Sequence, residues 1–332
     1  MTNLVVQTAF LGDVVLTTPL LSALASAEGP LDVVTTPVAA PLLESHAAVR
    51  RVVAYDKRGA DRGWRGLRAL AERLRAEHYD SAYLPHRSLR SAALALFAGI
   101  PRRVGFRDGW RALHTESRPR PVGSHEIDRL LALAGPPATP AGMPSLGLTA
   151  DDRDAAARWL RAANVAPGFV ALAPGSIWSS KRWPYFAELA GRLVDRKAIV
   201  LVGGRDDATL AAEIREAVPP VVSACGAMTL RQSAALIQQA AVLVTNDSAP
   251  LHFAQAVGTP TVAIFGPTVP SFGFGPRGPR DRTVGVHDLA CRPCSPHGPA
   301  ACPLGHHSCM QSLAVDAVLQ AIEETGALHR RD

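Results

Sequence analysis

The chain has 332 residues, 47% hydrophobic and 19% charged, with a formal net charge of +6. That length and apolar content allow two ordinary domains with sizeable cores and exclude a disordered chain. No run approaches the roughly 18 apolar residues of a membrane span, and the start, MTNLVVQTAFLGD, has no basic leader and meets an acid at Asp13, so the cytoplasm is the expected compartment.

The elements alternate from the beginning. NLVVQTAF (3–10) reads as a short buried strand, and LGDVVLTTPLLSALASA as a loop entering a helix with Val15, Leu16, Leu20, Leu21 and Leu24 apolar. LDVVTT is a second strand, WRGLRALAERLRAEHYD a helix, and SAYLPH a third strand. LRSAALALFAGI is a helix closed by Gly99, with Pro101 just beyond. The Pro- and Gly-rich segment 135–147, GPPATPAGMPSLG, has no periodicity and reads as a linker. Alternation then restarts through DDRDAAARWLRAANV, FVALAPGS, PYFAELAGRLVDR, AIVLVGG, PVVSACG, LRQSAALIQQA, AVLVTND, APLHFAQAVG and TPTVAIFG, and ends in the helix SLAVDAVLQAIEETGAL. Strands alternating with helices imply parallel sheets covered on both faces. The expected architecture is therefore α/β, with two Rossmann-like halves at 1–148 and 149–310 and a terminal helical segment at 311–332.

Four stretches carry more polarity than a buried framework needs. VTNDSAPLHFAQAVGTPTVAIFGPT (244–268) sets Asn246, Asp247, Ser248 and His252 between two buried strands. Ser248 suits a helix N-cap, followed by Ala249 and Pro250 in the first turn, with Gly258 ending the helix. Capping leaves Asp247 and His252 unexplained, whereas a helix N-terminus rimmed by Ser and His suits a diphosphate; a lone helical His is more often an internally satisfied one. APGSIWSSKRWP (173–184) ends a strand in Gly175 and Ser176 and reaches Lys181, which can neutralise a phosphate or simply be solvated. It lacks the GxxxxGK[ST] pattern of a P-loop. VLVGGRDDATLAAEI (200–214) follows Gly203 and Gly204 with Asp206 and Asp207, placed to hold ribose hydroxyls or to cap the next helix. Asp13, after Gly12, either caps its helix or removes a proton from a sugar hydroxyl.

Four of the five cysteines form CRPCSPHGPAACPLGHHSC, with Cys291, Cys294, Cys302 and Cys309 spaced C-x2-C-x7-C-x6-C. Four soft donors in a Pro- and Gly-rich loop suit tetrahedral Zn or Fe; the alternative is thiols packed under a loop. In the first half Lys57, Arg58, Arg62 and Arg65 follow one strand, Arg87 and Arg90 another, and Arg102, Arg103 and Arg107 cluster at a turn. These suit an anionic ligand or form a solvated surface, and the positive balance suits an anionic partner or reflects a compositional bias toward Arg throughout the chain.

The segments FLGDVVLTTPLLSAL, FAGIPRRVGFR, PGS…KRWP…FAELA, LVGG, TNDSAPLHFAQAVGTPTVAIFGPT and CPLGHHSC, in that order, resemble the ADP-heptose lipopolysaccharide heptosyltransferases of glycosyltransferase family 9, nearest the heptosyltransferase II branch. The resemblance implies a GT-B fold, with an N-terminal acceptor domain, a C-terminal nucleotide-sugar domain and a last helix crossing back to the first domain. It implies inverting transfer of heptose from ADP-heptose to an anionic inner-core saccharide on lipid A, the second heptose, at the cytoplasmic face of the inner membrane. Asp13 is then the general base, and Lys181 and the segment from Asp247 to His252 serve the diphosphate. Gly12, Gly175, Ser176, Gly203, Asp206 and Met228 complete the nucleotide-sugar site, with Met228 against adenine. Arg58, Arg87, Arg90 and Arg107 are acceptor contacts. Catalysis needs no cofactor, and a metal in the cysteine loop is structural. The rival readings are transfer to a non-lipopolysaccharide acceptor, a UDP-sugar 2-epimerase of the same architecture, and a zinc-bearing nucleic-acid binder. The last conflicts with an aromatic content of only 5%, so nucleic acid is not an expected partner.

Overall fold

A computed structural model describes residues 2–135 and 142–328; most of the Pro- and Gly-rich stretch of the expected linker, 136–141, lies outside them. The chain divides into two compact units, meeting at Gly147 and Leu148.

In unit 1 the order is β1 (Asn3–Val6), α1 (Leu11–Glu28), β2 (Leu31–Thr35), α2 (Ala40–Leu43), β3 (Val49–Ala54), α3 (Gly63–Arg75), β4 (Ser81–Leu84), α4 (Leu89–Phe97), β5 (Arg102–Phe106), β6 (Glu116–Arg118) and α5 (Glu126–Leu131). Unit 2 runs α6 (Ala150–Ala162), β7 (Val170–Ala173), α7 (Phe186–Leu193), β8 (Ile199–Leu201), α8 (Ala208–Ala217), β9 (Val222–Ser223), α9 (Leu230–Gln238), β10 (Val242–Asn246), α10 (Ala249–Val257), β11 (Thr261–Ile264), β12 (Arg282–Val284), α11 (Ser308–Gln311) and α12 (Val315–Glu324).

Each unit holds one parallel sheet, ordered β3-β2-β1-β4-β5-β6 and β12-β11-β10-β7-β8-β9. Both repeat the doubly wound pattern whose strand order reverses once, between β1 and β4 and between β7 and β10. Ligands in such sheets sit beyond the carboxyl ends of the strands at that reversal. The inner strands carry continuous apolar runs, and Leu4, Val5, Val6, Leu172, Val244 and Ile264 are wholly buried. Removing each such side chain from water contributes about 1.5–3 kcal/mol.

Strands β3, β5, β6 and β12 are additional to those read in chain order. Three of them are sheet edges, where backbone pairing needs little apolar side chain; β3, VRRVVA, buries only Val53 fully. In β5 the signal is hidden by Arg102, which pairs with Glu116, and by Arg103, which donates to the carbonyls of Leu113 and Ile100. Helix α12 packs on β11, β12 and α7, burying Val315, Val318 and Ile322 in the core of unit 2.

Candidate functional site

The reversal in unit 2 brings together two of the polar stretches singled out in the sequence. Strands β7 and β10 pair with Thr245 opposite Ala173, so the Gly175 loop and the Asp247 loop leave the sheet side by side. Asn246, fully buried at the end of β10, donates to the Pro174 carbonyl at 2.8 Å and accepts from the Trp183 backbone N–H at 3.1 Å. It therefore clamps the whole 174–183 loop to the sheet. Lys181 Nζ then lies 2.6 Å from Asp247 Oδ2, which also accepts from Thr268 Oγ1 at 2.7 Å. Both charged side chains are nearly buried, at 9% and 11% exposure.

Asp247 leads directly into α10. Ser248 occupies the N-cap position as its sequence suggested, and Gly258 ends the helix at φ 77°, a conformation that favours glycine. The Ser248 hydroxyl makes no capping bond; it lies 3.4 Å from the Asn246 carbonyl. The helix start thus has no side-chain cap and lies beside a lysine, an arrangement suited to an anion, with Pro250 in the first turn having no N–H to leave unmet. His252 is buried one turn along, 3.1 Å from Gln255 Oε1 through Nδ1, and burial holds its pKa below the usual range. That pairing matches the internally satisfied histidine weighed from sequence.

The aspartate that turns inward at the end of β8 is Asp207. A Cβ on Gly175 would lie 2.0 Å from Asp207 Oδ1, and one on Gly203 2.6 Å from Oδ2. The same Oδ2 accepts the Gly204 N–H at 2.8 Å, so this carboxylate serves as a turn cap and the glycines make room for it. Asp206 is exposed, Ser176 is buried with its hydroxyl accepting from the Trp178 N–H, and Met228 is half-buried just before Thr229, the N-cap of α9.

The cysteine loop packs over these segments. Ser179 donates to the Ala300 carbonyl at 2.6 Å, Ser180 to that of Pro299, and His307 Nε2 lies 2.7 Å from the Ser180 carbonyl. Arg292 donates to the carbonyls of Phe265 and Thr268. Cys291, Cys294 and Cys302 are partly exposed and Cys309 is buried. Backbone N–H groups, first that of His307 at 3.4 Å, converge on Cys302 Sγ. Among the described residues no group of three or more His, Cys, Asp or Glu is arranged to hold a metal ion.

In unit 1, Asp13 occupies the first turn of α1 behind Gly12 and accepts the Phe10 N–H at 3.1 Å. Desolvation, and then the negative charge of Glu126, push its pKa to about 6 against the opposing Phe10 bond and Arg120 charge. Helix α5 packs on α1 and carries Glu126, buried and bonded to Arg120 at 2.6 and 2.7 Å. At the β1–β4 reversal Lys57 Nζ donates to the Thr8 carbonyl at 2.6 Å, and Arg90 to the Lys57 carbonyl at 3.2 Å. His86 Nε2 lies 3.5 Å from Thr8 Oγ1 and 3.4 Å from Ser91 Oγ, its pKa depressed to about 4 by burial and by Lys57, with Nδ1 buried and unpartnered among the described residues. Of the other arginines proposed from sequence, Arg58 and Arg107 are exposed, and Arg87 leans toward Asp108 at 3.6 Å.

The sequence singles out Asp13, Lys181 and Asp247 as candidates, and the structure sets beside them Thr268, Glu126, Arg120, His86 and Arg292, which the sequence reading does not name. Thr268 closes the very stretch that drew attention, TPTVAIFGPT, and was findable there. The others carry no recognisable motif: Glu126 acts on Asp13, His86 faces Lys57, and Arg292 reaches back to Phe265 and Thr268, while Arg120 pairs with Glu126 six residues on. A separate groove of about 670 Å³, lined in part by Lys197, Gln239 and Arg280, lies at the amino ends of the unit 2 strands, opposite these residues.

Residues 67–301 match the family described as glycosyltransferase family 9 (heptosyltransferase). The chain is 32% identical over 231 residues to lipopolysaccharide heptosyltransferase 2 of Escherichia coli K12, covering 62% of this chain and 65% of that relative, just under two thirds of its length. It is 31% identical over 319 residues to lipopolysaccharide heptosyltransferase 1 of Pseudomonas aeruginosa, covering 88% and 85% of the two chains. The solved ADP-heptose lipopolysaccharide heptosyltransferase II of E. coli superposes with a TM-score of 0.80 at 26% identity, covering 99% and 98%. No helix of the described residues is long and apolar enough to cross a membrane. The doubly wound pair of sheets is that of the GT-B heptosyltransferase, the family pattern covers most of the length, and the chain belongs to glycosyltransferase family 9.

Proposed function

We propose that this protein transfers heptose from ADP-heptose to an anionic lipopolysaccharide inner-core acceptor, adding the second heptose with inversion at the anomeric carbon. The observation that carries the reading is Lys181, paired with Asp247 at the uncapped start of α10, on the sheet reversal where a diphosphate would lie. In the reaction the bond from the anomeric carbon to the diphosphate oxygen breaks and a bond to an acceptor hydroxyl oxygen forms. Asp13 takes the hydroxyl proton, and a pKa of about 6 makes it a stronger base than an ordinary aspartate while leaving it mostly ionised at neutral pH. Negative charge gathers on departing ADP, where Lys181 and the α10 amides receive it. Gly175 lets the backbone come close to the nucleotide, Met228 packs on adenine, and Ser176, Gly203 and Asp206 line the rest of the donor site.

On the acceptor side Lys57, Arg58 and Arg90, which have no carboxylate partner among the described residues, meet phosphate or carboxylate groups, with Arg87 and Arg107 at the rim. The lipid anchor of such an acceptor brings the enzyme to the cytoplasmic face of the inner membrane as a peripheral protein. In the cysteine loop four thiols and the amide cradle at Cys302 have the right chemistry for structural Zn or Fe, which would tie the loop over Lys181. Metal analysis of the purified protein tests this: about one ion per chain is expected, lost in Cys302→Ser, and a metal-free folded protein rejects it.

The decisive experiment measures ADP release from ADP-heptose with inner-core acceptors carrying zero, one or two heptoses, with mass spectrometry of each product. Gain of one heptose only on the singly heptosylated acceptor supports the second-heptose assignment. Gain on another acceptor changes the assignment, and consumption of UDP-sugars in place of ADP-heptose rejects heptosyl transfer.

A further inference from the structure

We infer that the outer face of α3 and α4 docks unit 1 onto an anionic lipid surface, a deepening of the lipid-linked acceptor read above. Trp64, in the first turn of α3, is 66% exposed, and its ring meets that of Phe97 edge-on with centroids 6.3 Å apart. Phe97 is 39% exposed, Leu96 38% and Leu89 44%. On α4 the spacings of seven and eight residues from Leu89 set all three along one side of the helix. Burying Leu67, Leu70, Ala71 and Leu74 turns the opposite side of α3 to water, and that side carries Arg65 and Arg68, both exposed. Arg75 donates to the Phe97 carbonyl and so ties the end of α4 to α3 beneath the aromatic pair.

Exposed aromatics edged by arginines suit a bilayer interface. Indole rings settle at headgroup depth with apolar and polar sides both satisfied, and guanidinium forks match lipid phosphates. Charge argues against a second copy of the chain as the occupant, because a two-fold contact through this face would set identical arginines against each other. The segments bearing Lys57, Arg58 and Arg90 are the ones that lead into or form α3 and α4. A bilayer on this face would therefore hold a lipid-anchored saccharide near the unit 1 cations.

The test is co-sedimentation of the full chain with vesicles of phosphatidylglycerol and phosphatidylethanolamine, against pure phosphatidylcholine. Two variants are compared with the parent, Trp64→Ser with Phe97→Ser, and Arg68→Glu, each checked for an unchanged melting temperature. Salt-sensitive binding to the anionic vesicles is expected, falling about tenfold in the aromatic variant and at least fivefold in the charge reversal. Transfer to a lipid-free acceptor should be unchanged in both, while transfer to the same acceptor in vesicles falls. Absent binding, or binding untouched by both variants, overturns the surface; a dimer abolished by the aromatic variant overturns it in favour of a second copy. Vesicle binding that responds to the variants in a protein with no heptosyl transfer to any acceptor would keep the surface and reject the proposed function.

Discussion

Lys181 Nζ and Asp247 Oδ2 stand 2.6 Å apart although 66 residues separate them in the chain. The contact exists because parallel strands β7 and β10 end side by side, and it neutralises a lysine that a diphosphate would otherwise meet bare. Breaking one partner of such a buried pair costs about 3–5 kcal/mol, much of it from the charge left alone. Lys181→Met should therefore lower stability and abolish ADP binding. Adding Asp247→Asn should recover most of the stability and none of the binding, as read by denaturant unfolding and calorimetric titration. Recovery of nucleotide affinity in the double variant would remove Lys181 from the phosphate site.

Asp13→Asn should retain ADP affinity and lose transfer by about a thousandfold, within the range general base catalysis contributes. Its folded pKa of about 6 lies above the ordinary carboxylate value. The folded protein therefore holds this proton more tightly than the unfolded chain does, and the stability it contributes is present below about pH 4 and lost as pH rises through 6. The uncharged Asn escapes that loss, so the variant should melt no lower than the parent at pH 8, with a gain of up to about 3 kcal/mol. Near-normal turnover ends the base assignment.

The pH dependence of kcat/KM follows from the same group. The rate should rise with an apparent pKa near 6 as Asp13 ionises. In Glu126→Gln, which removes the nearby negative charge, the rising limb should shift to lower pH. An unshifted limb would mean that Asp13 does not set it.

Gly175→Ala places a Cβ 2.0 Å from Asp207 Oδ1. Overpacking of this kind costs about 1–3 kcal/mol. Combining it with Asp207→Ala should relieve the clash, so that the two unfolding free energies fail to add. Strict additivity would show that the glycine is there for another reason.

Lys57→Met combined with Arg90→Ala should raise the acceptor KM at least about tenfold, or about 1.4 kcal/mol for the two lost contacts together, and leave ADP affinity unchanged. Unaltered acceptor kinetics would take both residues out of the acceptor site.

Apolar runs broken by glycine and polar residues announced the inner strands and the loops after them, because a strand buried on both faces must be apolar and its exit turn cannot be. That logic exposed β1, β7, β10 and β11 with the polar ends Asp13, Lys181 and Asp247. It failed for β3, whose VRRVVA pairs at a sheet edge through backbone alone, and for β5, whose arginines look solvated until Glu116 and the Ile100 and Leu113 carbonyls are seen beside them. Choosing between Asp206 and Asp207 was equally out of reach. Adjacent residues differ in direction, and only the turn after β8 decides that Asp207 points at Gly175 and Gly203.

Beside the family resemblance carried by its ordered motifs, what the sequence determined by itself is the α/β class and the residue types available at each strand end. These follow from local periodicity and composition, which need no partner to be read. Tertiary structure alone decided that Lys181 is paired, that Glu126 raises the basicity of Asp13, and that the cysteine loop is laid over Ser179 and Ser180. Each of these depends on a distance between residues remote in the chain. Desolvation and Coulomb energy depend on those distances and carry no trace in the local pattern.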